Sequence, residues 1–156
     1  MSNISTAYDD ISTVIGGLLP NHNQLINPYV PDLNDDLTYE KAWGLAFAEG
    51  LNTNLQLGCR LSVERTLRLI LTRKIFAGQL QRGSDAVVIR RDAEKQLFED
   101  QYLVIKELET NPTITDSQVI TKLVWQGDAG LEFVRTERTD IIILTNQLVL
   151  TYFEEI

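Results

Sequence analysis

The segment from Asp140 to Glu154 constrains the fold most, because it is long, rich in β-forming residues and apolar at both parities. Successive residues of a strand point to opposite faces of a sheet, so each parity of this segment defines one face. The segment therefore predicts a final strand that needs cover on both faces, from helices, from loop segments or from another subunit. One parity contains Ile141, Ile143, Val149 and Phe153, and the other contains Leu144, Leu148, Leu150 and Tyr152.

Hydrophobic periodicity in the rest of the chain predicts two helices and further strands. Apolar and polar residues alternate from Val63 to Ile75, which is typical of a strand with one buried face. We predict a single α+β domain over residues 1–156, in which a mixed or antiparallel sheet of about four main strands packs with two α-helices. The predicted helices are Ser5–Leu19 and Asp92–Glu109, with Asp92 as the cap, and the other strands are Tyr39–Leu51 and Val119–Trp125, the latter continuing through Leu131–Val134.

Two segments allow more than one interpretation. Alanines at positions 42, 46 and 48 make the strand predicted for Tyr39–Leu51 also compatible with a helix. Residues 77–91 combine two glycines with a short apolar run, and we predict an extended excursion or a hairpin there.

Composition indicates a folded protein without a membrane segment or a structural metal. The N-terminus lacks the pattern of a secretory signal, and apolar runs such as Ile141–Leu144 are far too short to cross a bilayer. The single cysteine, Cys59, has no disulfide partner, and the single histidine, His22, leaves no His/Cys cluster for zinc. A formal net charge of −8 repels phosphate backbones, so specific nucleic-acid binding is not expected.

An acidic loop lies within the turn-forming segment 20–38. Asp32, Asn34 and Asp36 imitate the start of a calcium-binding loop, but Leu37 and Trp43 stand where glycine and a closing glutamate are needed. This excludes an EF-hand. A looser cation site in residues 32–40 and a solvated acidic loop both remain open.

The stretch Gly127-Asp128-Ala129-Gly130 raises the question of an anion-binding loop. It has neither the lysine of a phosphate-binding loop nor three spaced glycines before a helix, and a strand pattern follows it. We therefore predict a bend or bulge between β segments.

No catalytic signature is present. Cys59 lacks a nearby base, so we interpret it as a small apolar filler and His22 as a surface loop residue. Paired carboxylates remain an alternative, since no spacing singles out one pair. We predict a protein that is not an enzyme and that needs no cofactor.

Charged residues on the strand Val63–Ile75 suit a polar subunit contact, because complementary charges set register between partners. A solvated face with weak cross-strand ion pairs is the simpler alternative. The residues that we predict at a subunit interface are Arg68, Lys74, Leu148, Leu150 and Tyr152.

The order of elements resembles the tail terminator proteins of long-tailed bacteriophages. The likeness is strongest where WQGDAGLEFV is followed by RTDIIILTNQLVLTYFEEI, which is similar to the last β segments of that family. The resemblance implies a ring, commonly of six subunits, that caps the tail tube, stops its polymerisation and joins it to the head or neck. It also implies a location in the virion, contacts with the tail tube protein and with neck or connector proteins, and a lumen through which DNA passes without specific binding.

Three arginines are our hypothesis for contact with acidic tube or neck partners: Arg82, Arg90 and Arg91. The alternatives to a terminator are a neck or head-completion protein of the same virion and, from a different class, a small enzyme or a cellular binding module.

Overall fold

The computed structural model describes residues 2–25, 41–55, 60–76, 84–114, 117–135 and 139–155. They form two helices and five strands. The elements are α1 (Asn3–Leu18), β1 (Asn23–Gln24), β2 (Lys41–Leu55), β3 (Arg60–Phe76), α2 (Ser84–Thr110), β4 (Ile120–Arg135) and β5 (Thr139–Glu155). The predicted α+β class is confirmed, and Tyr39–Leu51 is a strand from residue 41 onward.

The strands form one mixed sheet in the order β1-β2-β3-β5-β4. The two-residue β1 is parallel to β2, and every other neighbouring pair is antiparallel. Four strands are long, as predicted, and β1 adds a short fifth strand that brings the chain after α1 back to the sheet. The loop predicted over residues 20–38 lies outside the described residues from residue 26 onward.

Both helices pack on one face of the sheet, which we call the covered face. Ile11 of α1, Leu97 of α2, Leu69 of β3 and Leu148 of β5 belong to the same buried apolar cluster. Leu71 is paired with Leu144 in register, so the odd residues of β3 and the even residues of β5 share this face.

The opposite face, which we call the open face, carries the even residues of β3 and the odd residues of β5. At one end, Ile141 is buried in a small cluster with Leu25 and Ala42. Farther along β5, Ile143, Val149 and Phe153 are only partly buried. The predicted need for cover on both faces of β5 is therefore met fully on the covered face and in part on the open face.

Helix α1 is tied to the end of the chain through its first turn. The side chain of its N-cap residue, Ser2, makes no capping hydrogen bond to the helix. Instead, Glu154 accepts hydrogen bonds from the backbone N–H groups of Asn3 (3.2 Å) and Ile4 (3.3 Å), and Asn3 Nδ2 donates to the carbonyl of Phe153 (2.6 Å). A carboxylate at this position satisfies free N–H groups and interacts favourably with the helix dipole.

Replacing Glu154 with alanine is expected to lower the free energy of unfolding by about 1 kcal/mol, because two helix N–H groups lose their acceptor. Urea denaturation followed by circular dichroism measures this change. Glu155→Ala, at the exposed neighbouring residue, is the matched control and is expected to have little effect. Equal effects of the two substitutions would contradict a capping role for Glu154.

Helix α2 begins at Ser84, well before the predicted start at Asp92. The prediction of an extended excursion or hairpin is therefore wrong for residues 84–91, and residues 77–83 lie outside the described residues. Asp92 is an interior helical residue and not a cap. Arg90 stabilises the added turns, since Nε lies 3.6 Å from Glu94 Oε1 and the guanidinium lies 3.9 Å from the ring centroid of Phe133. Neither described helix combines the length and apolar character needed to span a bilayer.

Strand β4 confirms the predicted bulge around Gly127. Its pairing with β5 shifts register between Trp125 and Gly127 and again between Asp128 and Leu131. Gly130 has a φ of 81°, a backbone conformation that glycine adopts without steric cost. Asp128 Oδ1 accepts a hydrogen bond from the N–H of Gly130 (2.8 Å). The carboxylate of Asp128 therefore stabilises the turn in which it lies.

Candidate functional site

Two polar clusters lie between α2 and the covered face, and each is centred on buried side chains: Arg73 and Asp100 in one, Gln101 and Asn146 in the other. The first, which we call the Arg73 cluster, consists of His22, Arg73, Gln96 and Asp100. The Arg73 guanidinium donates to Asp100 Oδ2 (2.5 Å) and, through Nε, to Gln96 Oε1 (3.3 Å). The side chains of Arg73 and Asp100 are 6% and 10% exposed, so this ion pair is largely removed from water.

His22 joins this ion pair from the loop after α1. Its Nε2 atom lies 3.0 Å from Asp100 Oδ2 and 3.0 Å from Arg73 Nη2. One nitrogen can donate to the carboxylate or accept from the guanidinium, depending on the tautomer, but it cannot do both. The interpretation of His22 as a surface loop residue is wrong, because its side chain is only 11% exposed and packs against the Arg73–Asp100 pair. Its Nδ1 atom is buried and has no hydrogen-bond partner among the described residues.

The second cluster, which we call the Asn146 cluster, consists of Gln101, Trp125, Asp128 and Asn146. Asn146 Oδ1 accepts from Gln101 Nε2 (2.7 Å) and from Trp125 Nε1 (3.0 Å). Asn146 Nδ2 donates to the carbonyl of Leu69 (3.3 Å), and Gln101 Nε2 also donates to Asp128 Oδ2 (2.9 Å). The cluster therefore connects α2 to the bulge of β4 and to the central strands.

These clusters are suited to holding elements together. A buried polar group is tolerated when its hydrogen bonds are made, and such networks specify one arrangement of the elements around them. The His22–Asp100 pair has the geometry of a base and its orienting carboxylate. A general base must reach the proton of a substrate, however, and this imidazole is in contact with Asp100 and Arg73 of the protein itself.

No described group of histidine, cysteine, aspartate and glutamate residues could hold a metal ion. The acidic loop 32–40 and Cys59 lie outside the described residues, so the cation site and the filler role both stay predictions.

The three arginines predicted to contact partners do not share one location. Arg90 points toward β4 through its contact with Phe133, while Arg91 is exposed on the outer side of α2. Arg82 lies outside the described residues.

The predicted interface residues separate into two sets. Leu148, Leu150 and Tyr152 are buried in the core of the single chain, with exposures of 0%, 0% and 2%. The structure corrects this part of the prediction, because these side chains have no surface to offer a neighbouring subunit. Both parities of β5 are apolar, so the sequence alone did not show which parity the helices cover.

The other two predicted interface residues lie on the open face. Arg68 is exposed there. Lys74 is buried near the C-terminal end of β3, as is Thr72. Arg68 remains available for a polar subunit contact, which stays a prediction.

Two surface features were not anticipated from the sequence. A groove of about 220 Å³ lies between the C-terminal part of α2 and β4, and both apolar and charged side chains line it: Ile105, Leu108, Glu109, Pro112, Lys122, Leu123, Val124 and Trp125. The outer side of α2 exposes large apolar side chains, among them Phe98 and Tyr102. Contiguous exposed apolar surface of this kind is typical of interaction sites.

Comparisons with known proteins supply no family for this chain. No protein-family model matches it, and no curated protein matches it.

Proposed function

We propose that the protein is a tail terminator of a long-tailed bacteriophage, a virion protein that forms a hexameric ring on the end of the tail tube. The order of elements supports this proposal: a helix, a long connection, two strands, a helix and two final strands. The bulged strand β4 and the long strand β5 correspond to the segments on which the sequence resemblance rests.

The observation that carries the proposal is the one-sided covering of the sheet. In the described part of the chain, both helices pack on the covered face, and the middle of the open face keeps partly exposed apolar side chains beside charged ones. Val149 and Phe153 lie on this face with Arg68, Glu64 and Gln147. A face of mixed apolar and charged character suits a subunit contact, in which apolar area provides affinity and charge provides register.

Head-to-tail packing through such a face produces a closed ring when the rotation between copies closes. Each copy then presents its open face to a different surface of the next copy. Termination follows from asymmetry: one side of the ring matches the exposed end of the tail tube, and the other side does not offer the surface that a further tube subunit needs.

Charge is compatible with this role. The net charge of −8 disfavours adhesion of the ring wall to DNA, which carries one negative charge per about 1.7 Å of duplex. Genomic DNA therefore passes through the lumen without specific binding. Arg82, Arg90 and Arg91 are the proposed cations for contact with acidic surfaces of the tube or of neck and connector proteins.

Deleting the gene from its phage is expected to give overlong tail tubes that do not join heads, because tube growth loses its stop. Electron microscopy of the lysate measures tube length, and supplying the gene in trans is the control that restores normal length. Free tails of normal length would contradict the terminator role and indicate a neck or head-completion protein. Normal virions would contradict both virion roles.

A further inference from the structure

One exposed flank on the outer side of α2 carries four residues in a straight strip: Arg91, Phe98, Tyr102 and Glu109. Glu109, at the C-terminal end of the strip, also lines the groove between α2 and β4. Their spacings of seven, four and seven residues place them within about 40° of arc on the helix, since each residue advances by about 100°. Phe98 and Tyr102 are 45% and 59% exposed, which leaves two aromatic rings in water at the middle of a long helix. Aromatic residues and arginine are the types most enriched in protein interfaces.

The strip is self-complementary. Its order along the helix is cation, aromatic ring, aromatic ring, anion, and its spacings read the same in both directions about residue 100. Two such helices in antiparallel orientation bring Phe98 of each copy against Tyr102 of the other. The same register brings each Arg91 against Glu109 of the other copy, which makes two ion pairs related by a two-fold axis.

We propose that a second copy of this chain covers the outer face of α2 through this antiparallel α2–α2 pairing. The contact is isologous, so the same patch serves both copies and the assembly closes at two. Parallel pairing is disfavoured because it would set Arg91 against Arg91 and Glu109 against Glu109. Antiparallel pairing also brings opposite ends of the two helix dipoles together.

This pairing does not rest on the proposed function. It uses the outer side of α2, whereas the proposed ring uses the open face on the other side of the sheet. Arg91 is also one of the cations proposed for contact with the tube or neck, so the Phe98 and Glu109 variants are the ones that separate the two proposals. The free chain can therefore pair through α2 whether or not it terminates tails, and the two proposals fail separately.

Charge reversal tests the pairing directly. Arg91→Glu places acid against acid twice in the dimer, and Glu109→Arg places base against base twice. Each single substitution is expected to raise the dimer dissociation constant by about tenfold or more, and the double variant R91E/E109R is expected to restore it to within about threefold, because the pairs reform with opposite sign. Sedimentation of the full chain over a range of concentrations measures the constant.

Two further variants complete the experiment. Phe98→Ala is expected to leave the chain monomeric, because it removes the aromatic centre, while circular dichroism verifies its fold. Asp92→Lys, an exposed charge reversal on the same helix about 100° away from the strip, is expected to leave the constant unchanged. A wild-type chain that stays monomeric up to about 1 mM, well above the range of specific association, would overturn the pairing. A double variant whose dimer dissociates as readily as that of the single variants would also overturn it. The same holds if rings form and Phe98→Ala does not change the mass of the assembly measured by sedimentation. That last outcome would leave the terminator proposal intact.

Discussion

Replacing Asp100 with alanine is expected to lower the free energy of unfolding by about 3–5 kcal/mol, because the Arg73 guanidinium would stay buried without its carboxylate. Asp100 Oδ2 is the acceptor for Arg73 Nη2 and lies beside His22, so the substitution also leaves the histidine without an anionic neighbour. Urea denaturation followed by tryptophan fluorescence measures the loss, since both tryptophans, Trp43 and Trp125, lie on the covered face.

Asp92→Ala provides the matched control, as Asp92 lies on the same helix but is exposed, and its effect is expected to stay within about 0.5 kcal/mol. A second comparison separates the cost of an unpaired charge from the value of the pair. Exchanging both partners, as in Arg73→Met/Asp100→Leu, is expected to destabilise the chain less than Asp100→Ala does, because no buried charge remains. If Asp100→Ala behaved like Asp92→Ala, the ion pair would have no structural role.

Leu148→Ala is expected to lower the free energy of unfolding by about 2–5 kcal/mol, the range for a fully buried leucine that leaves a cavity. Leu148 is 0% exposed and lies on the covered face, opposite Leu67 of β3 and Trp125 of β4. Chemical denaturation of dilute protein, at which any assembly has dissociated, measures this loss in the single chain.

Val149→Ala is the comparison of choice, because residue 149 is the next along the strand and lies on the partly exposed open face. It is expected to cost less than about 1.5 kcal/mol in the dilute chain, since little cavity forms at a partly exposed site. The order of the two effects reports which parity of β5 faces the core. A larger loss at Val149 than at Leu148 would contradict the assignment of the two faces.

Much of the fold follows from local sequence. Alternation in β3 placed Leu67, Leu69 and Leu71 on a buried face, and the structure confirms that parity. Periodicity likewise predicted the first helix, whose Ile11 and Ile15 are buried in the structure, and the glycines of β4 predicted a bulge. In each case, the residues that determine the element are neighbours along the chain, so periodicity and turn chemistry suffice.

The polar clusters were not predictable in this way. Arg73 has the same parity as the buried leucines of β3. An arginine within this apolar series is the local feature of the sequence that indicates a buried cation. Its partner Asp100 and the nearby His22 come from distant parts of the chain, since positions 22 and 100 are 78 apart in sequence. Only the packing of α2 on the sheet brings them together.

The start of α2 was missed for a different reason. Val87, Val88 and Ile89 are β-branched residues that favour strands on propensity alone. In the structure Val87 and Val88 lie on a helix with 58% and 54% of their surface exposed. Ile89 packs against the core and Arg90 contacts Phe133 of β4, and tertiary context of this kind commonly overrides local propensity.

The bulged strand β4 has a consequence for behaviour at high protein concentration. Fibrils nucleate where a straight outer strand offers an uninterrupted row of backbone groups to a strand from another molecule. Along β4 three register shifts and the left-handed turn at Gly130 break that row. The N–H of Leu123 already donates to the carbonyl of Pro112 at 2.7 Å. Edge-to-edge pairing of copies into a continuous sheet through β4 is therefore disfavoured, even at high protein concentration.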